Sequence, residues 1–296
     1  MSAAAVIVLH DSERELYALL RSLTRAPGAP PRLVVVDAGS RDGGAALARA
    51  HGAEVLELGD NPGFGAATNA GLARVHEDVA ILLNPDCETV DGSLAGLASI
   101  AHTHPHALHA PRLLDPDGSV QRSAHPLPGT VGALLPALVH APLLPAGLRE
   151  RAEPHRATRP RTVGWVVAAC LAAATATLRR LGPFDPAVHL FAEDMELCLR
   201  ARAAGIPTVL HPHLQVRHTG GHAVLRAGEP FELLAARRRD AIRRTRGETA
   251  LALDDAAQAL TFATRIAAKA TLRRPHERER AQLKALLTQC CSDRAT

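Results

Sequence analysis

At 296 residues the chain can bury one sizeable core and carry an appendage. Its 47% hydrophobic and 22% charged content is ordinary for a globular protein, while 2% aromatics leaves almost no stacking platforms for single-stranded nucleic acid. The net charge of +4 is uneven: residues 226–296 hold 15 Lys/Arg against 9 Asp/Glu, and residues 1–225 hold 19 against 21. A nucleic-acid footprint belongs on the folded domain, so this distribution speaks against nucleic acid and suits an anionic membrane surface or a polyanionic partner.

Ala3–Leu9 is an unbroken apolar run ending at His10-Asp11, as for a strand buried on both faces. Ser12 stands where an N-cap belongs, ahead of Leu16, Leu19, Leu20 and Leu23 at helical spacing. After a turn at Pro27–Pro31, Leu33–Val36 predicts a second buried strand running into Asp37-Ala-Gly-Ser40. Ala45–His51 predicts a helix stopped by Gly52, Glu54–Leu58 a strand, Ala66–Arg74 a helix, and Val79–Leu83 a strand ending at Asn84-Pro-Asp86. From Pro111 to Arg161 the pattern weakens into Pro-rich loop, with a hairpin-like turn at Asp115-Pro-Asp-Gly118. Val163–Leu178 predicts a buried strand entering a helix, and Ala192–Ala204 a helix closed by Gly205. Beyond Gly228 the chain is helical and basic, broken at Pro275.

Such alternation implies an α/β fold whose mostly parallel sheet is covered on both faces, with ligands beyond the carboxyl ends of the strands. His10-Asp11, Asp37 and Asn84–Asp86 occupy those ends. No membrane span is expected, because Pro136, Pro142 and Pro145 interrupt the uncharged 131–148 stretch. Val6–Leu9 is too short for a signal peptide. Five cysteines without zinc spacing read as reduced cytoplasmic thiols.

Each motif has two readings. Asp37 can accept hydrogen bonds from a base or ribose, or simply form a turn. Asn84-Pro-Asp86 is a common turn, yet one strand-end carboxylate suffices to help hold Mg²⁺ or Mn²⁺ against a diphosphate. Asn61–Gly71 offers helix-entry amides to phosphate or sugar hydroxyls, but Thr68 takes the third glycine position of the dinucleotide fingerprint. Glu193-Asp194 opens a helix, either answering its dipole or supplying a general base. His218 is a structural hydrogen-bonder or a ligand. His102, His104, His106 and His109 cluster in a predicted loop without acidic or Cys partners and are set aside as a metal site.

Several segments carry a resemblance when taken in order: Val35-Val-Asp-Ala-Gly-Ser-Arg-Asp-Gly43, Asn61–Gly71, Leu82-Leu-Asn-Pro-Asp86 and Leu114-Asp-Pro-Asp-Gly-Ser-Val-Gln-Arg-Ser123. Gly164-Trp165, Leu181-Gly-Pro-Phe-Asp185, Glu193-Asp194 through Arg202, Gly205 and His218 continue it. This ordered set, from Ala3 to about His222, resembles the family 2 glycosyltransferases of GT-A fold, in the rhamnosyltransferase-like branch. The resemblance implies a catalytic domain over residues 1–225 and a basic helical extension over 226–296. It implies donor binding by Asp11, Asp37, Asn69, Asn84 and Asp86, and a divalent metal, Mg²⁺ or Mn²⁺, at Asp86 and His218. Asp194 would be the base of a single inverting displacement, with Glu193 and Trp165 at the acceptor; plain core packing stands as the alternative for Trp165. The implied partners are a nucleotide-diphosphate sugar, dTDP-L-rhamnose, and a saccharide or lipid-linked acceptor of cell-wall or polysaccharide assembly. Leu9-His10-Asp11 departs from the family's Thr-Tyr-Asn, and Val188–Ala192 from a more aromatic run.

In the tail, Arg237-Arg-Arg239, Arg243-Arg244 and Arg246 interleave with Phe231, Leu233, Leu234 and Ile242. That suits an interfacial helix on the inner face of the plasma membrane, or equally a basic helix packed on the domain. A sugar-phosphate nucleotidyltransferase and a non-catalytic nucleotide-sugar scaffold are the rivals. Ala3–Asp11 lacks the Gly-rich basic signature of the first, and intact Asp86, Asp194 and His218 oppose the second.

Overall fold

The computed structural model describes residues 1–130, 133–134, 144–182, 184–185, 190–220 and 230–292. Strands β1 (Ala3–Leu9), β2 (Arg32–Asp37), β3 (Glu54–Glu57) and β4 (Val79–Leu83) form a parallel half-sheet with β1 between β2 and β4. Apolar side chains are needed at every position because both faces are covered. Ala5, Ile7 and Leu9 enter one core, while Ala4 and Val6 enter the other.

Beyond β4 lie β10 (Cys170–Ala174), antiparallel to it, then β6 (Leu108–Leu114) and β11 (Thr208–His218), parallel to each other. The far edge of β11 pairs with β8 (Arg161–Val163) at its start and with β5 (Cys87–Thr89) at its end. The described residues thus give one nine-stranded, mixed and mostly parallel sheet, plus a short pair of β7 (Ala124–His125) and β9 (Trp165–Val166). The helices are α1 (Glu13–Arg25), α2 (Gly44–Ala50), α3 (Phe64–Leu72), α4 (Ser93–Thr103), α5 (Ala146–Ala152), α6 (Thr175–Leu181), α7 (Glu193–Ala203), α8 (Phe231–Thr271) and α9 (Glu277–Ser292). Helix α8 turns sharply at Gly247, whose φ is 80°.

Three expectations are corrected. The Ser12 hydroxyl does not cap α1; it donates to the His10 carbonyl at 3.0 Å. The cap comes from another element: Glu13 N–H donates to Asp42 Oδ2 at 2.8 Å, and Gly43 N–H donates to Glu13 Oε2 at 2.9 Å. The Pro-rich loop from Pro111 contains most of β6, which tolerates a proline because its register with β11 shifts between His211 and Gln215. The histidine cluster is only partly in a loop, with His104 and His106 in the turn between α4 and β6. His102 lies on α4, and buried His109 sits on β6 with Nδ1 3.0 Å from His211 Nε2.

The expected turn after β6 is present: Asp115 N–H donates to the Ser119 carbonyl and Gly118 N–H to the Asp115 carbonyl. Among the described residues no helix is long and apolar enough to cross a membrane. Most of 131–148, with Pro136 and Pro142, lies outside the described residues, as do Pro183, Val188, His189 and His222.

Candidate active site

Asp86 and His218 are 132 residues apart in sequence (218 − 86) but neighbours in the sheet, because β5 pairs β11 with His218 opposite Cys87. Asp86 Oδ1 stands 3.3 Å from His218 Nε2, and Asp86 Oδ2 accepts from Gly220 N–H at 3.0 Å. His218 Nδ1 meets Gln121 Oε1 at 2.9 Å, while the Gln121 amide nitrogen donates to Asp115 Oδ1 at 2.9 Å. With Gln121 oriented this way by its network, Nδ1 donates to Gln121 and Nε2 faces the Asp86 carboxylate, an arrangement that a proton or a metal ion between them would complete. Burial pushes the Asp86 carboxyl up, but His218 and the Gly220 N–H more than offset this and hold it below the usual range. The donor set fits a hard cation that keeps waters and takes its remaining ligands from substrate phosphates. Among the described residues no three His, Cys, Asp or Glu side chains gather as a closed metal cage.

Asp37 and Asp11 lie on the neighbouring strand ends and shape the loop between them. Buried Asp37 accepts from Ser40 N–H at 3.1 Å, and Asp11, at φ 51°, accepts from Arg41 N–H at 2.7 Å. Asn84 is half-buried at the end of β4. Asn69, expected at the donor, spends one amide N–H and one oxygen lone pair on the backbone of Phe184, at 2.7 and 2.8 Å. It clamps the 184–185 segment to α3.

The acid pair sits at the start of α7, after two residues in left-handed conformation, Phe191 (φ 74°) and Ala192 (φ 66°). Non-glycine residues there are strained, and such strain gathers at functional sites. Burial, then Asp194, raises the Glu193 carboxyl well above its ordinary value, and Glu193 Oε2 has no hydrogen-bond partner. Burial raises Asp194 as well, opposed by the N–H groups of Met195 and Ala168. The turn at Ala168-Ala169, leading into β10, joins the two centres: Asn84 N–H donates to the Ala169 carbonyl at 2.8 Å, while Ala168 N–H reaches the Asp194 carboxylate. Trp165 is half-buried, stacked on His125 with centroids 3.9 Å apart, and touches the cores on both sides of β9.

The family model for glycosyl transferase family 2 matches residues 4–155. Over 250 residues the chain is 32% identical to the N-acetylglucosaminyl-diphospho-decaprenol L-rhamnosyltransferase of two Mycobacterium tuberculosis strains, covering 78% of this chain and 80% of the relative. The chain belongs to glycosyltransferase family 2. Structural comparison agrees on the GT-A fold. A mannosyltransferase from Pyrobaculum calidifontis, solved with GDP-Man and Mn²⁺, superimposes with a TM-score of 0.60 at 15% identity, over 96% of this chain and 84% of the other. GalNAc-T7, solved with UDP, GalNAc and Mn²⁺, gives 0.56 at 18% identity over 74% of this chain, which spans only 44% of that longer protein.

For this glycosyltransferase, family membership removes the nucleotidyltransferase and scaffold readings. The structure also supplies residues that sequence reasoning left without a role. Gln121 orients His218, Asp115 orients Gln121, and His125 backs Trp165. The one available signal was their place in or just after the Leu114–Ser123 motif.

Proposed function

We propose that this glycosyltransferase moves L-rhamnose from dTDP-rhamnose onto a lipid-linked sugar in cell-wall or polysaccharide assembly, by a single inverting displacement. Similarity to the mycobacterial rhamnosyltransferases supports the substrates. The mechanism is carried by one observation: the Asp86–His218 pair and Asp194 flank the same backbone turn. Asp86 and His218 would hold Mg²⁺ or Mn²⁺, which supplies charge against the departing diphosphate. Asp37 and Asp11 shape the nucleotide's loop, with Asn84 and Asn69 beside it. Asp194, its proton affinity lifted toward neutral pH, takes the acceptor's proton as the glycosidic bond forms. Glu193 and Trp165 frame the acceptor. Catalysis is assigned to residues 1–225, with 226–296 as a supporting extension.

We assign the protein to the cytoplasm, at the inner face of the plasma membrane where a lipid-linked acceptor resides. The arginines of residues 237–246 serve the fold more than a lipid surface: Arg238 pairs with Asp254, Arg239 with Asp255, Arg243 with Glu248, and Arg244 with Asp185. Ile242 is fully buried. The surface offered to lipid is instead exposed Leu272 and Leu287 beside Arg273, Arg274, Arg280 and Lys284. Co-sedimentation with anionic vesicles at low salt supports this if it falls on Leu287→Glu; no binding by the parent protein rejects it.

Turnover of purified protein with dTDP-rhamnose, UDP-sugars and GDP-mannose on a prenyl-diphospho-N-acetylglucosamine tests the donor. Transfer is expected from dTDP-rhamnose. Transfer from UDP-sugars alone rejects it.

A further inference from the structure

Trp165 is the only tryptophan of the chain, and its ring is built into a two-stranded ribbon. It lies opposite His125, with Gly164 N–H donating to the His125 carbonyl at 2.9 Å and Val167 N–H to the Ser123 carbonyl at 2.8 Å. The strands approach closely because residue 164 has no side chain: a Cβ there would overlap the Leu127 nitrogen and the Pro126 carbonyl carbon. The two rings meet face to face, centroids 3.9 Å apart and planes 9° from parallel, and both stay half-exposed.

The indole also packs against two cores, one containing Leu197 and Cys198 and the other Met195 and Leu199. All four belong to α7, the helix that opens with Glu193-Asp194. Three residues beyond Trp165, Ala168 N–H reaches the Asp194 carboxylate, and the Ala169 carbonyl accepts from Asn84 N–H. The backbone of β9 is thus registered on both centres, whereas the tilt of the indole is set by what it packs on. His125 gives it the one ring-to-ring contact it has among the described residues. Burial, then Arg122 and Arg238, pushes the His125 ring well below the ordinary histidine value, so it stacks as an uncharged, flat aromatic plate.

We propose that His125 is a positioning residue for the acceptor: stacked on Trp165, it fixes the plane in which the indole meets the acceptor's sugar ring. This rests on the acceptor role proposed above for Trp165. A pyranose offers a C–H face to an aromatic ring, and that contact holds over a narrow range of tilt.

Steady-state kinetics on the full chain tests this, with prenyl-diphospho-N-acetylglucosamine and whichever nucleotide sugar supports transfer varied in turn. Trp165→Leu is expected to raise the acceptor KM about tenfold and His125→Leu about fivefold, each leaving the donor KM within about twofold. His125→Phe keeps the plate and should restore the parental acceptor KM. Should His125→Leu not fold, His125→Gln, which is not aromatic, is held to the same expectation. If Trp165→Leu raises the acceptor KM and the non-aromatic His125 variant does not, the positioning role falls while that of Trp165 stands; if neither raises it, both fall. Equal rises in both KM values, or no rescue by His125→Phe, also overturn the proposal. Fluorescence of the single tryptophan gives a readout without turnover: its emission should change in the non-aromatic variant, and unmoved emission shows that the stack is absent and overturns the proposal.

Discussion

His218 acts through the way its ring is held. Gln121 fixes Nδ1 as the donor, which turns Nε2 toward Asp86. Replacing Gln121 with Ala frees the ring, so the divalent-dependent KM for the donor is expected to rise about tenfold with kcat little changed. An unchanged KM would remove Gln121 from the site. The buried histidines define a second residue-scale effect. His109 Nε2–H donates to the His104 carbonyl, so its Nδ1 accepts from His211 Nε2–H, leaving His211 Nδ1 buried as a bare lone pair without a partner. A proton added there has no acceptor. Burial, then His109, pushes His211 down to about 4, and burial, then Arg122, does the same for His155. Between the ordinary value near 6.5 and about 4 the unfolded chain binds more protons, so stability present above the upper value is lost as pH falls through this window. Melting is expected to drop by on the order of 5 °C between pH 7 and pH 5, and less in His211→Gln. A flat profile would contradict the tautomers. Glu193 has the opposite sign. Its raised carboxyl takes up a proton more readily folded than unfolded, so its ionisation costs stability as pH rises, and Glu193→Gln should melt higher than the parent above neutral pH.

At the scale of elements, α3 approaches β1 and β2 across Gly71. A Cβ there would stand 2.9 Å from Val36 Cγ2 and nearer still to Val6. Gly71→Ala should cost about 1–3 kcal/mol in urea unfolding despite its better helix propensity; a stabilised variant would contradict this packing. The half-sheet β1–β4 was legible in the sequence because burial on both faces leaves continuous apolar runs. Helix α4 carried a readable signal, Leu94, Leu97, Ala98 and Ala101 at helical spacing, that the histidines around it obscured. Strand β6 hid behind Pro111, and β5, β7 and β9 are two or three residues long, defined by their partners and not by any pattern of their own. The site followed the same division. Asp11, Asp37 and Asp86 stand at strand ends that the sequence marks, whereas the Asp86–His218 meeting depends on the β5–β11 register. The role of Asn69 as a clamp on Phe184 depends on a contact between segments 115 residues apart.

In the whole molecule the C-terminal helices are part of the structural support of the site. Met195 and Leu199 of α7 share a core with Ala241, Ile242, Ala250 and Leu251 of α8. Charge counting left this segment open between a lipid-facing and a packed helix because it cannot show that Arg238 and Arg239 meet Asp254 and Asp255 across the bend at Gly247. Ending the chain at residue 230 uncovers that core behind the acid pair, and the truncated protein is expected to melt lower and lose transfer; a fully active, equally stable product would show the helices to be dispensable. All of this support converges on Asp194, the group proposed to remove the acceptor's proton. The most direct test is Asp194→Asn, with dTDP binding in Mn²⁺ measured by calorimetry alongside rhamnosyl transfer by the same preparation. Binding should remain within about twofold of the parent while transfer falls by roughly a hundredfold or more; transfer at the parental rate would contradict the account.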